Sequence, residues 1–87
     1  MAWTLAYDPA AKKDLAKLDK AVARSVKKYL DEVSHLEDPA SRGHGLTGPL
    51  AGQHRYRIGQ IRMIVEIKRR IVTVLVVKID RRDSAYW

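Results

Sequence analysis

The sequence contains no cysteine among its 87 residues. Disulfide bonds and thiolate metal sites are therefore excluded, and a reducing compartment is compatible with the chain. The longest apolar run, Ile71 to Val77, is interrupted by Thr73 and is far too short to span a bilayer. The start, MAWTLAYDPAAKK, lacks the basic residues and long apolar run of a signal peptide. We expect one soluble cytoplasmic domain, residues 1–87, with no membrane contact, metal or cofactor.

The positive charge is concentrated in the second half of the chain. The net charge is +7, yet residues 1–48 contain eight Lys/Arg against seven Asp/Glu, whereas residues 49–87 contain nine against three. Most of the second-half cations are arginines, whose planar guanidinium group suits phosphate. This excess indicates an anionic partner. The lysines of the first half recur on the outer faces of predicted helices, and their simplest interpretation is a solvated surface.

The hydrophobic spacing predicts an α+β domain. Trp3–Tyr7 alternates as a short strand, Asp8 is typical of a helix N-cap, and Asp19 is typical of a second one. Residues 37–53 hold two prolines and four glycines, which indicates a loop. Three further strands are predicted at His54–Ile58, Ile61–Ile67 and Ile71–Ile79. We therefore expect two N-terminal helices packed on a mostly antiparallel four-stranded sheet.

The segment Gly59-Gln60 has the composition of a two-residue hairpin turn, with glycine supplying a positive φ. In that register Arg57 lies opposite Arg62, and Tyr56 lies opposite Met63. Side chains alternate between the two faces of a strand, so the tyrosine and methionine face the core while the arginines face away from it. A one-residue slip would mix the two sets, which makes the register well specified.

Directly opposed like charges destabilise a sheet by a few tenths of a kcal/mol or more. Folding alone therefore gives no reason for Arg57 opposite Arg62, whereas a bound anion would. The alternative is that these arginines, with Arg55, only form ion pairs with acidic residues. The acids within reach of them are Glu66, Asp80 and Asp83.

These segments also carry a family resemblance. It rests on the order and spacing of five segments: Leu18-Asp19-Lys20, Leu46-Thr47-Gly48, Arg55 to Gly59, Ile61 to Ile64, and Arg81-Arg82-Asp83 followed by Tyr86. In this pattern the chain resembles the RelE/ParE superfamily of bacterial toxins. The resemblance covers essentially the whole chain. It implies a toxin encoded beside an antitoxin. RelE-like members cut messenger RNA in the ribosomal A site, whereas ParE-like members poison DNA gyrase and are not nucleases.

We favour the RelE-like activity, because RNA cleavage needs groups that hold the scissile phosphate and stabilise its developing charge. The resemblance implies catalytic roles for Arg57, Arg62, Arg81 and Tyr86. It further implies RNA contacts for Arg55, Arg82 and Lys78. The expected partners are a RelB-like antitoxin, in a hetero-oligomer with the toxin, and the 70S ribosome carrying messenger RNA.

Two departures from the family pattern leave alternatives open. Arginine is essentially never deprotonated, so Arg55 and Arg57 are poor general bases where relatives often carry lysine. Many relatives also have histidine immediately before the tail arginine, where this chain has Asp80. A gyrase poison without nuclease activity, and a catalytically weak toxin, therefore remain alternatives.

The other titratable residues give weaker signals. His54 alternates with Arg55, so we expect it to point toward the core as a structural residue. His35 and His44 are expected at the surface, and their spacing matches no metal site. The helix acids, Asp14 among them, are expected to be solvated.

Overall fold

A computed structural model describes residues 2–48 and 52–81. The elements in chain order are β1 (Thr4–Tyr7), α1 (Pro9–Ala16), α2 (Lys20–Ser34), β2 (His44–Gly45), β3 (Gln53–Ile58), β4 (Ile61–Lys68) and β5 (Thr73–Arg81). Two helices pack on one face of a mostly antiparallel sheet, which confirms the α+β prediction. None of the helices that the structure describes is long and apolar enough to cross a membrane.

Both helices begin where the sequence predicts them. The carboxylate of Asp8 accepts a hydrogen bond from the Ala10 amide at 3.0 Å, and Asp19 accepts one from Ala21 at 3.3 Å. Each contact satisfies an amide that has no partner inside the first turn of its helix. Val26, Leu30 and Val33 of the apolar stripe of α2 are then fully buried against the sheet, where they form part of the core.

The sheet has five strands in the order β1-β5-β4-β3-β2, one more than predicted. The additional strand, β2, is only two residues long, so it has no alternation that a sequence could reveal. β1 pairs in parallel with β5, and the other pairs are antiparallel. The β3–β4 hairpin has the predicted register, and Gly59 has a φ of 55°.

The start of β5 differs from the prediction. The residues Arg69–Ile71 form a short 3-10 turn, and the strand begins at Thr73 instead of Ile71. Val72 has a φ of 49°, in the left-handed region that a β-branched residue rarely adopts. The chain reverses direction there, which leaves Ile71 64% exposed. The apolar run that starts at Ile71 therefore covers the end of the turn as well as the start of the strand.

β5 contains a bulge that changes the phase of its side chains. Ile64 of β4 pairs with Lys78, but the next residue, Val65, pairs with Val76, which leaves Val77 as an extra residue. A bulge of this kind reverses which positions face the core on either side of it. As a result Lys78 lies on the face away from the helices.

A carboxylate from α1 stabilises the strand beside the bulge. β1 ends at Tyr7, opposite Val76, and among the described residues no strand pairs with β5 on that side beyond this point. Asp14 fills the position with Oδ2, which accepts a hydrogen bond from the Ile79 amide at 3.0 Å. The expectation that Asp14 is only a solvated helix charge was therefore wrong, since a contact across 65 positions of the chain leaves no local signal.

We expect Asp14→Ala to lower the free energy of unfolding by about 1–3 kcal/mol, because it leaves a part-buried amide beside the bulge without its charged acceptor. Urea denaturation at neutral pH measures this change. Asp31→Ala, at a helix position whose side chain is 70% exposed, is the matched control and should cost no more than about 0.5 kcal/mol. Equal losses for the two variants would show that the Asp14 contact contributes nothing.

Candidate functional site

The face of the sheet opposite the helices carries a cluster of cations from three adjacent strands. Strand alternation places them there, because the residues between them are core residues such as Tyr56 and Met63. The cluster, which we call the basic face, consists of Arg55, Arg57, Arg62 and Lys78. The predicted opposition of Arg57 and Arg62 is confirmed by the register.

Arg62 occupies the centre of the basic face. It is only 7% exposed, with Arg57 opposite on β3 and Asp80 opposite on β5. An opposite-charge pair across two strands contributes about 0.2–1 kcal/mol, which offsets the repulsion from the arginine on the other side. The alternative of pairing with acids therefore has physical support at Arg62. Arg57, by contrast, is exposed and has only Arg62 opposite it among the described residues.

Lys78 lies at the margin of the basic face. Its side chain is 60% exposed, and Nζ is 4.0 Å from Oδ2 of Asp80. An ion pair of this length and exposure contributes little to stability. The lysine ammonium therefore stays available to an anion that approaches the face from solvent.

A pocket of about 290 Å³ opens where the basic face reaches the edge of the sheet. Its lining consists of Tyr29, Gly43, His44, Arg55 and Arg57. The histidine is there because β2 pairs His44 directly with Arg55. Sequence reasoning did not include His44 in the site, and the only local signal is its position between two glycines.

Buried aromatic residues hold the loop that carries His44. The Tyr56 hydroxyl donates to the Pro39 carbonyl at 2.7 Å, and its ring lies 5.8 Å from the ring of Tyr29. Burial raises the pKa of Tyr56 well above its usual value, so the hydroxyl stays protonated as a donor. His54 is 8% exposed and its Nε2 donates to the Arg42 carbonyl at 2.5 Å, which confirms the structural role predicted for it.

The turn into β2 requires a glycine. Gly43 has a φ of 77°, and a Cβ at this position would lie 2.2 Å from the Arg55 carbonyl oxygen and 2.7 Å from the Tyr56 ring. Real Cβ atoms do not approach other heavy atoms that closely. The close approach keeps β2 against β3 and so fixes the position of His44 beside the arginines.

Arg81 is not on the basic face. It pairs with Ile61, and alternation directs it to the helix side, where it lines a groove of about 360 Å³ with Val22 and Ser25 of α2. Arg82 and Tyr86 lie outside the described residues. Within residues 2–48 and 52–81, no group of three or more His, Asp or Glu side chains lies close enough together to hold a metal ion.

The fold is similar to several solved toxin structures. The Mycobacterium tuberculosis toxin–antitoxin complex RelBE2 matches with a TM-score of 0.86 and 26% identity over 94% of this chain and 93% of that one. A substituted Escherichia coli toxin RelE in the free state matches with 0.79 and 26% over 98% and 88%. The archaeal RelE–RelB complex of Pyrococcus horikoshii OT3, at 22% identity and a TM-score of 0.74, shares the fold over 98% of this chain and 100% of that one. No curated protein matches in sequence.

The fold, together with the likeness to solved toxins, assigns the protein to the class of toxins of type II toxin–antitoxin systems. Residues 5–86 match the family described as ParE toxin of type II toxin–antitoxin system, parDE, and the chain belongs to that family. The RelE/ParE resemblance seen in the sequence is thereby confirmed.

We expect Gly43→Ala to destabilise the protein strongly, because the new methyl group overlaps backbone and a buried ring. Gly48→Ala is the control: its φ is 67°, and no heavy atom of the described chain lies within 4 Å of its Cβ. The control should cost about 1–2 kcal/mol for the left-handed backbone alone. Gly43→Ala should cost roughly 1–3 kcal/mol more, as overpacking does. Similar urea midpoints for the two variants would contradict the close contact.

We expect Asp80→Asn to strengthen binding of a single-stranded polyanion, because it removes the negative charge beside Arg62 and Lys78 on the basic face. The measurement is the dissociation constant for a short oligonucleotide against salt concentration. Loss of one negative charge should steepen the salt slope by up to about 0.7 for a single strand. Glu37→Gln makes the same charge change on an exposed residue after α2. If both variants strengthen binding equally, the effect is due to net charge and not to this face.

Proposed function

We propose that this toxin cleaves messenger RNA on the translating ribosome, by attack of a ribose 2′-hydroxyl on the adjacent phosphodiester. The observation that carries the proposal is the convergence of Arg55, Arg57 and Arg62 on the sheet face opposite the helices. A phosphodiester under attack gains negative charge on its oxygens, and preorganised cations around it lower the barrier. The likeness to RelE toxins at 26% identity supports this activity.

The two central arginines have different tasks in this proposal. Arg57 is exposed and binds the scissile phosphate as the strand of RNA crosses the sheet. Arg62, at 7% exposure, acts from a region of lower dielectric, where its charge is screened less by water. Arg55 and Lys78 flank them and contact neighbouring phosphates. Binding energy and charge stabilisation therefore come from adjacent strands.

Residues near the C-terminus complete the proposed site. Arg81 is the last residue of β5, and Arg82 and Tyr86 follow it in the chain. By resemblance to RelE-like toxins, Tyr86 stacks on a base, since an aromatic ring suits an unstacked nucleotide. Arg81 has no phosphate contact in this proposal, because strand alternation directs it to the helix side of the sheet. Arg82 supplies a further RNA contact.

The ribosome is the proposed positioning device. By holding the messenger in a fixed geometry, the ribosome lowers the entropy cost of aligning the reacting groups. A small protein face cannot by itself hold a flexible RNA strand so firmly. This places the protein in the cytoplasm with the ribosomes. A RelB-like antitoxin is the proposed inhibitor, since the similar solved structures include RelB–RelE complexes. An extended, acidic or amphipathic segment over the basic face would block RNA by charge and by occupancy.

A second function is supported by a separate observation. The family that matches residues 5–86 is described as ParE toxin. By resemblance to the ParE-like branch of the superfamily, the protein would poison DNA gyrase without cutting nucleic acid. In that case the basic face contacts gyrase or its DNA and performs no chemistry.

We expect purified toxin to cut one messenger inside codons only when ribosomes translate it, as read by primer extension. Arg57→Ala should slow cleavage by about 100-fold, because it removes an exposed cation from the developing charge. Arg70→Ala, an exposed arginine in the turn after β4, is the control and should cut at the wild-type rate.

The gyrase alternative makes the opposite prediction for the same preparations. The messenger stays intact with and without ribosomes, while gyrase supercoiling of a plasmid is inhibited by wild-type protein. Inhibited supercoiling together with an intact messenger overturns the ribonuclease proposal.

A further inference from the structure

The three arginines of the basic face cannot act as proton acceptors, and Lys78 lies at the margin of the face beside Asp80. Guanidinium groups donate hydrogen bonds but are not deprotonated in proteins, so Arg55, Arg57 and Arg62 hold and stabilise phosphate without taking a proton. Attack by a 2′-hydroxyl requires that its proton be removed as the bond to phosphorus forms. The group that removes it has to lie beside the arginines.

The pocket at the sheet edge contains such a group. His44 lies opposite Arg55 in the β2–β3 pair, and directly opposed side chains have Cβ atoms about 4.5–5.5 Å apart. The pocket has space for part of a nucleotide, with about 290 Å³ between His44, Arg57 and the ring of Tyr29. The histidine is exposed, so RNA can reach its imidazole.

The other two histidines of the chain are engaged elsewhere. His54 is buried, and its Nε2 donates to the Arg42 carbonyl. His35 caps the C-terminal end of α2, where Nδ1 lies 2.7 Å from the Asp31 carbonyl oxygen. Of the three histidines, only His44 lines the pocket at the sheet edge, together with Arg55 and Arg57 of β3.

The surroundings of His44 are cationic and aromatic. Arg55 and Arg57 face it from β3, and Tyr29 faces it from α2 with the Arg42 guanidinium carbon 5.4 Å from the tyrosine ring centroid. Gly43, in the turn that leads into β2, also lines the pocket and carries no charge. Among the described residues that line the pocket there is no carboxylate. An RNA phosphate is therefore the natural negative charge for this pocket.

We propose that His44 is the general base of RNA cleavage, and that the pocket at the sheet edge holds the nucleotide whose 2′-hydroxyl attacks. This inference rests on the proposed ribonuclease function. The neutral imidazole takes the 2′-hydroxyl proton while the O2′–P bond forms and the P–O5′ bond breaks. Water protonates the departing 5′ oxygen, and the imidazolium returns its proton to the hydroxide so formed. The products are a 2′,3′-cyclic phosphate and a 5′-hydroxyl.

The test is single-turnover cleavage of a messenger held on ribosomes, by wild-type toxin, His44→Ala and His44→Asn, across pH 6–8.5. His35→Ala is the matched control, because it removes an exposed histidine outside the pocket. The expected loss in both His44 variants is about 10²–10⁴-fold in the rate constant, with the KM for the ribosome complex unchanged within about twofold. The pH dependence of the wild-type rate should be lost in both His44 variants, because they lack the proton acceptor.

Added imidazole should restore part of the rate to His44→Ala and none to Arg57→Ala, an outcome that a merely structural role would not produce. Unchanged thermal midpoints for the His44 variants are expected because the side chain is exposed. A His44→Ala rate within about twofold of wild type, with the same pH profile, would overturn the assignment while leaving the ribonuclease function intact. A wild-type toxin that leaves the messenger uncut overturns both.

Discussion

The pairing of β3 with β4 is the constraint on which both sides of the sheet depend. Tyr56 lies opposite Met63 and both are fully buried, so the residues beside them on each strand face away from the helices. Gly59, with its positive φ, closes the two-residue turn that sets the register. One residue of slip would exchange core and basic side chains at once. The same pairing therefore stabilises the fold and assembles Arg57 with Arg62.

β5 contributes Lys78 and Asp80 to the outer face because its bulge changes which side chains point toward the core. Its first half faces the core with Val74 and Val76, and the extra residue at the bulge makes Ile79 the next core position. Lys78 and Asp80 then flank Ile79 on the outer face. Asp14 reaches from α1 to stabilise this stretch where β1 no longer pairs with it. The bulge thus determines which charges lie beside Arg62, and the contact from the first helix stabilises the strand next to it.

Local signals predicted much of the fold, and long-range contacts account for what they missed. The caps at Asp8 and Asp19 and the turn at Gly59 each depend on a few adjacent residues, so the sequence reveals them. The two-residue β2 has no periodicity, because its existence depends on how Gly43 packs against β3. The arginines of the site were predictable from alternation. His44 was not, since its place beside Arg55 comes from a pairing 11 positions apart.

The distribution of charge across the face suggests why binding and proton transfer are separated in space. At the centre, Arg62 is buried between a like charge and Asp80, so its side chain has little freedom to approach a substrate hydroxyl. A proton acceptor placed there would also lie among charged side chains. At the sheet edge these restrictions end, because β2 is short and exposed, and His44 can meet a nucleotide held by Arg57. Cations at the centre and an imidazole at the rim together provide what the arginines alone cannot, which is an acceptor for the proton.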